Sequence, residues 1–275
     1  MTGIPSHRLF SEIQEQARLF EALLTVPVAH YTACGFPSTE HLRIVAIAEG
    51  SSRHALQIAA PFIEEWVGVP VYVHSPDMLE EKFAIAHVYA DHLDEHSISI
   101  YRDAFFVVAS QSGETSSIIK VLDLLEQHMP DALPVLMLTN NSESTLAKRY
   151  DNHLDVSAGK EGSIAATKTL TATILTLLRW GLAWGLSLGR LSQSAHDQII
   201  QQLRQVGQRF ELLWQPESLQ ALKRFTCKLD EVNHFILLSK GPLSLILPEA
   251  GLKLTETSSN IVYTNNTERF KHGPK

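Results

Sequence analysis

Cysteine is nearly absent from this chain: 275 residues hold two, Cys34 and Cys227, with no pairing pattern. That excludes a disulfide scaffold and fits a reducing cytoplasm, where we expect the protein to reside. Positive charge is also short. Lys and Arg number 23 against 30 Asp and Glu, a formal net charge of −7. A binder of nucleic acid or of anionic membrane surfaces needs the opposite balance. The first residues carry no apolar signal core, so secretion is not expected. Low-complexity tracts and short-period repeats are missing as well. What is present is an ordinary apolar fraction, 44%, in a chain long enough for one large domain or two small ones.

One apolar stretch, 164–188, is long enough to raise the question of a membrane span. It carries Lys168, Arg179, several Thr and Gly181, Gly185 and Gly189. We therefore read it as a helix buried in a core or a subunit interface. Elsewhere the pattern alternates. Helices are expected over 10–24, 55–67, 78–90 and 116–127, and strands over 43–48, 69–74, 104–109 and 134–139. The first and third strands are apolar throughout, as strands covered on both faces are. Such alternation predicts an α/β fold with a doubly wound parallel sheet. A Gln-rich amphipathic helix over 192–214 leads to Pro216, where a boundary is expected. After a helix to about residue 229 the pattern restarts with a strand over 234–238, a turn at Lys240-Gly241-Pro242, a helix over 244–257 and a strand over 260–263. The expected organisation is a first domain over 1–215 and the start of a second, similar unit over 216–275, too short to complete its sheet.

The richest chemistry lies in Ser110-Gln111-Ser112-Gly113-Glu114-Thr115, between a buried strand and a helix. Free N–H groups at a helix N-terminus favour an anion. Ser110, Ser112 and Thr115 add hydroxyl donors, and Gly113 lets backbone come close. No Lys follows directly, so this is not a nucleotide P-loop; it suits a small phosphate ester. Glu114 suits the helix dipole better than catalysis. Gly50-Ser51-Ser52 follows the first strand, at the end of the sheet where open α/β folds bind ligands, and reads equally as a plain helix cap. Lys253 and Glu256, three apart, share a helix face; spacing alone makes them a surface ion pair. His87, His92 and His96, with Asp91, Asp94 and Glu95, lack a cysteine or apolar frame and read as a solvated linker rather than a metal site.

Four stretches in order resemble the sugar isomerase (SIS) domain family: Ser110 to Thr115, Glu161-Gly162-Ser163-Ile164-Ala165-Ala166-Thr167-Lys168, Glu249-Ala250-Gly251-Leu252-Lys253-Leu254-Thr255-Glu256 and Lys271-His272-Gly273-Pro274. Glu12-Ile13-Gln14-Glu15-Gln16 is similar to the family's leading motif. That family includes the isomerase half of glucosamine-6-phosphate synthase and related ketose/aldose-phosphate isomerases and deaminases. The resemblance implies an α-β-α sandwich with an N-terminal helix and a second, incomplete SIS-like unit. It implies a phosphosugar site formed by Gly50, Ser51, Ser52, Ser110, Gln111, Ser112 and Thr115, with a backbone wall at Ala166 and Thr167. Glu256 is then the isomerisation base, Lys253 its charge partner, and His272 the ring-opening group. His272 would serve the neighbouring subunit, which implies a homodimer with shared sites.

Two departures stand out. Glu49 sits where the family often has Cys, and Ala166 where it frequently has Ser. The expected function is a phosphosugar aldose–ketose isomerase or an amino-sugar-phosphate deaminase, without a glutaminase domain and requiring neither metal nor organic cofactor. The alternative is a phosphosugar sensor without turnover, favoured by Ala166 and by the absence of the synthase's C-terminal Lys segment. A scaffold or dimerisation fragment ranks third.

Overall fold

The structure, a computed structural model, describes residues 8–37, 43–88, 101, 103–129, 133–229, 231–258 and 260–273. The chain opens with α1 (Arg8–Thr25) and α2 (Val28–Ala33). Then come β1 (Arg43–Ala48), α3 (Gly50–Val67), β2 (Val71–His74), α4 (Pro76–Val88) and β3 (Ala104–Ala109). α5 (Ser116–His128), β4 (Val135–Thr139), α6 (Thr145–Arg149) and β5 (His153–Asp155) complete a five-stranded parallel sheet of order β2-β1-β3-β4-β5.

Alternation of side chains within each strand explains why both faces are apolar. Ile44, Ala46 and Ala48 join one core with Leu56, Ile63 and Trp180, while Val45 and Ile47 join another with Leu79, Ile118 and Leu122. Helices therefore cover both faces, as parallel crossovers require. The long apolar helix is α7 (Lys168–Ser187), buried from Lys168 to Gly185 along most of its length. It lies hard against α3: a methyl group on Gly185 would come within 3.0 Å of the Trp66 carbonyl. Among the described residues no helix is long and apolar enough to cross a membrane.

α8 (Gln193–Phe210) ends in a single 3-10 turn, Glu211–Trp214, before α9 (Pro216–Thr226). A second, two-stranded parallel sheet follows, formed by β6 (His234–Ser239) and β7 (Ile261–Asn266), with α10 (Leu247–Thr257) as the crossover and α11 (Thr267–His272) after it.

Several expectations are corrected. The helix expected from residue 164 begins at Lys168, because the Glu161 carboxylate caps it from outside and leaves Ile164 in a loop, 93% exposed. The helix expected from residue 55 begins at Gly50, so 50–52 is already the first turn of α3. The helix expected from 244 begins at Leu247, with Pro248 in its first turn, where a missing N–H costs nothing. α2, α6, β5 and α11 were not expected; each is six residues or fewer, too short for a periodic signal. The side chains of the 87–96 His/Asp/Glu group lie outside the described residues.

Candidate active site

The crossover from β1 leads through α3 to β2 on one side, and that from β3 leads through α5 to β4 on the other. Between the carboxyl ends of β1 and β3 the helix N-termini part and leave a crevice. A cavity of about 250 Å³ lies there.

Its donor wall is the loop after β3. Ser110 is buried, and its Oγ lies 2.7 Å from Thr115 Oγ1 and accepts the Gly113 N–H at 3.0 Å. Thr115 is the N-cap of α5 but makes no capping bond of its own. The hydroxyls and the helix end thus face the crevice together. Gly113 has φ +66°, and a Cβ there would overlap the Ser144 side chain; only Gly fits this turn. The loop is tied to the strand beside it. Asn140 N–H donates to the Gln111 carbonyl at 3.1 Å, Asn141 Nδ2 to the Ser112 carbonyl at 3.3 Å, and Leu146 N–H to the Gly113 carbonyl at 3.1 Å. Glu114 points away from the cavity. It accepts the Thr145 N–H at 2.7 Å, at the start of α6 rather than of its own helix, and that bond holds its carboxyl below the usual range.

The opposite wall is the loop before α7: Glu161, Ser163, Ile164 and Ala166, followed by Thr169 and Thr173 of the helix. Glu161 accepts the Thr167 N–H and hydroxyl at 2.7 Å each, the Lys168 N–H at 2.9 Å and the Thr169 hydroxyl. Its charge is therefore spent on the α7 N-terminus. The remaining charged lining residue is Glu49, whose carboxylate makes no hydrogen bond or ion pair among the described residues. Among the described residues neither Lys nor Arg lines the cavity. An anion held here would be held by neutral donors and a helix end.

The third component comes from α10, packed across the start of α3. Glu249, Lys253 and Glu256 follow each other along one face. Glu249 is buried; it accepts from Ser51 Oγ at 3.0 Å and lies 2.6 Å from His54 Nδ1 and 3.3 Å from Lys253 Nζ. Burial alone pushes its carboxyl up, but the His54 bond, the Lys253 charge and the Ser51 hydroxyl outweigh burial and hold it below its usual value. Lys253 Nζ reaches Ser51 Oγ at 3.1 Å and Glu256 at 2.6 Å.

Of the expected site residues, Ser51, Ser52, Ser110, Gln111, Ser112, Thr115 and Ala166 line the cavity together. Gly50 opens α3 without lining it, and Thr167 gives its donors to Glu161. Lys253 touches the rim through Ser51, with Glu256 one contact further out. His272 ends α11 and shares no hydrogen bond or ion pair with these residues. Lys168 is buried and paired with Glu15 at 2.6 Å. Glu161, Glu249 and His54 were not assigned from the sequence. The i, i+4, i+7 spacing of Glu249, Lys253 and Glu256 was the available signal. Among the described residues no three His, Cys, Asp or Glu side chains are grouped as a metal site would be.

The SIS domain family matches residues 38–179. A glutamine–fructose-6-phosphate aminotransferase (isomerizing) of Chlamydia trachomatis serovar D is 30% identical over 271 residues, which are 97% of this chain and 41% of that protein. The chain thus spans well under half the length of such curated relatives. The C-terminal domain of glucosamine-fructose-6-phosphate aminotransferase from Francisella tularensis superposes with a TM-score of 0.76 at 23% identity, over 98% of this chain and 72% of that one. Glucosamine-6-phosphate deaminase from Thermotoga maritima does so with a TM-score of 0.67 at 18% identity, over 98% and 72%. These two likenesses show the fold.

Proposed function

The chain belongs to the SIS domain family, and from that premise we propose that it binds a six-carbon sugar phosphate in the β1–β3 crevice and moves a proton between C1 and C2. The observation that carries this reading is the junction of two chemistries at Ser51. Its side chain lines the hydroxyl-rich cavity and also meets Lys253, whose ammonium holds Glu256 at 2.6 Å. The phosphate sits against Ser110, Ser112 and Thr115, with Gln111 and Ser52 beside it. Glu256 takes the C1 proton of the open-chain ketose and returns it to C2, so nothing is gained or lost overall. Lys253 pairs with Glu256 and stabilises the enediolate oxygen. The same enolisation begins the deamination of an amino-sugar phosphate. Ring opening falls to His272 of a second copy in a homodimer, since His272 stands away from the cavity of its own chain. The two cysteines are unpaired, in keeping with a cytoplasmic enzyme.

Glu256→Gln tests the reading. Turnover of fructose 6-phosphate or glucosamine 6-phosphate should fall by about 10²–10⁴-fold, the usual weight of a general base, with the thermal shift by either ligand retained. A wild-type protein that binds these ligands but turns over neither would favour the second reading, a phosphosugar sensor. Ala166, placed in the sugar wall without a hydroxyl, favours that alternative.

A further inference from the structure

α1 presents Glu12, Glu15 and Gln16 along one side; Glu12 grips the segment that leads into α7, and Glu15 and Gln16 grip the first turn of α7 itself. Glu12 is 3% exposed, and its two carboxylate oxygens accept the Gly162 N–H at 2.7 Å and the Ser163 N–H at 3.1 Å. Arg8 Nε meets the same carboxylate at 3.2 Å from the solvent side. Glu15 pairs with Lys168 at 2.6 Å, and Gln16 accepts the Thr171 hydroxyl at 2.5 Å. A buried carboxylate is costly unless it is bonded, and Glu12 directs its bonds to two consecutive peptide groups of a loop. That loop is the cavity wall: Ser163, Ile164 and Ala166 line the space opposite the hydroxyls of 110–115. The hydroxyl loop has separate supports in Asn140, Asn141 and Leu146. The hydroxyl wall is thus anchored to the loop after β4, whereas Gly162 and Ser163 of the other wall are held by α1, Asn140 reaching only the 158–159 stretch before it.

We infer that Glu12 is a positioning residue, which fixes the 161–167 wall over the sugar body and so sets affinity for the sugar without touching it. The inference rests on the phosphosugar reading. Inorganic phosphate needs only the hydroxyl wall, whereas a sugar phosphate needs both.

Titration calorimetry with fructose 6-phosphate and with inorganic phosphate separates the two walls. In Glu12→Gln, affinity for fructose 6-phosphate should fall about tenfold through loss of charge-assisted hydrogen bonds, with inorganic phosphate changed by less than about twofold. Glu12→Asp, which keeps the charge and withdraws it by one methylene, should fall between. Equal losses for both ligands, or none for either, overturn the role. Should the Gln variant fail to fold, backbone amide exchange on the wild-type protein still decides. Gly162 and Ser163 amides must be protected, and exchange at free-loop rates overturns the anchor. A wild-type protein that binds neither ligand sinks the phosphosugar reading and this role with it. Binding of both, unchanged in selectivity by either variant, sinks this role alone.

Discussion

β3 and β6 are each six residues long, parallel to their neighbour and rich in apolar side chains, yet β3 is buried at every position while β6 alternates between exposed and half-buried ones. In the second sheet Ile236 is 59% and Ile261 65% exposed, whereas Phe106 of β3 is wholly buried. Pairing needs only a partner strand, and both sheets have one. Burial needs a covering layer on each face, and among the described residues α10 covers the second sheet on one side, Gly251 lying close to Thr264. The candidate site spans this contrast. Its hydroxyl cavity belongs to the doubly covered sheet, where donors are held rigidly. Lys253 and Glu256, the proposed acid–base pair, belong to the thinner one and are held to the cavity through Ser51, His54 and Glu249.

Truncating equivalent side chains in the two sheets should break the symmetry most visibly. Phe106→Ala should cost about 3–5 kcal/mol in urea unfolding, because a buried ring leaves a cavity, against less than about 1 kcal/mol for the exposed Ile236→Ala. Equal losses would mean that Ile236 is covered in solution and that the contrast belongs to the isolated chain.

The joint between the sheets comes next. Glu249→Ala leaves His54 and Lys253 without their shared carboxylate and should cost about 3 kcal/mol. The acid limb of the stability curve sharpens this. The folded-state carboxyl of Glu249 is depressed below its reference value of 4.5. Its stabilisation is therefore complete above that value and is lost as pH falls through the lower, folded-state value. Wild-type stability should fall more steeply below about pH 4.5 than that of Glu249→Gln, whose amide does not titrate. Parallel curves would show that the joint carries no net electrostatic stabilisation.

The same contrast explains what could be read before the fold was known. β3 begins and ends where its apolar run does, and β1 differs only by Arg43 at its partly buried start, because strands covered on both faces need apolar residues along their buried length. The hydroxyl loop was equally plain, since its donors are adjacent in the chain. Glu161 was quoted in a motif but not assigned, because its role depends on a chain reversal that brings its carboxylate back onto Thr167 and Lys168. Glu12 and Glu249 were likewise quoted in motifs but given no role. Their burial arises only when α1 meets the 161–167 loop and α10 meets α3. β5 and α6 carry too few residues to show a period and take their form from β4 beside them.

The smallest expected effect concerns Glu49, and it tests how neutral the rigid half of the site is. Among the described residues the cavity has no cation in its lining, so bound phosphate would rest on dipoles, with the unpaired Glu49 carboxylate beside it. Glu49→Gln removes that like charge without changing shape. Affinity for inorganic phosphate should rise by about two- to fivefold at low salt, the range for an exposed charge pair. The gain should shrink as ionic strength approaches about 0.15 M, where the screening length is about 8 Å. Calorimetry at two salt concentrations measures both. A gain that persists at high salt would mean that Glu49 opposes the anion at close range, inside the screened distance. No gain at low salt would mean that the side chain turns outward, leaving the hydroxyl loop and the α5 N-terminus as the whole of the anion's electrostatic surroundings.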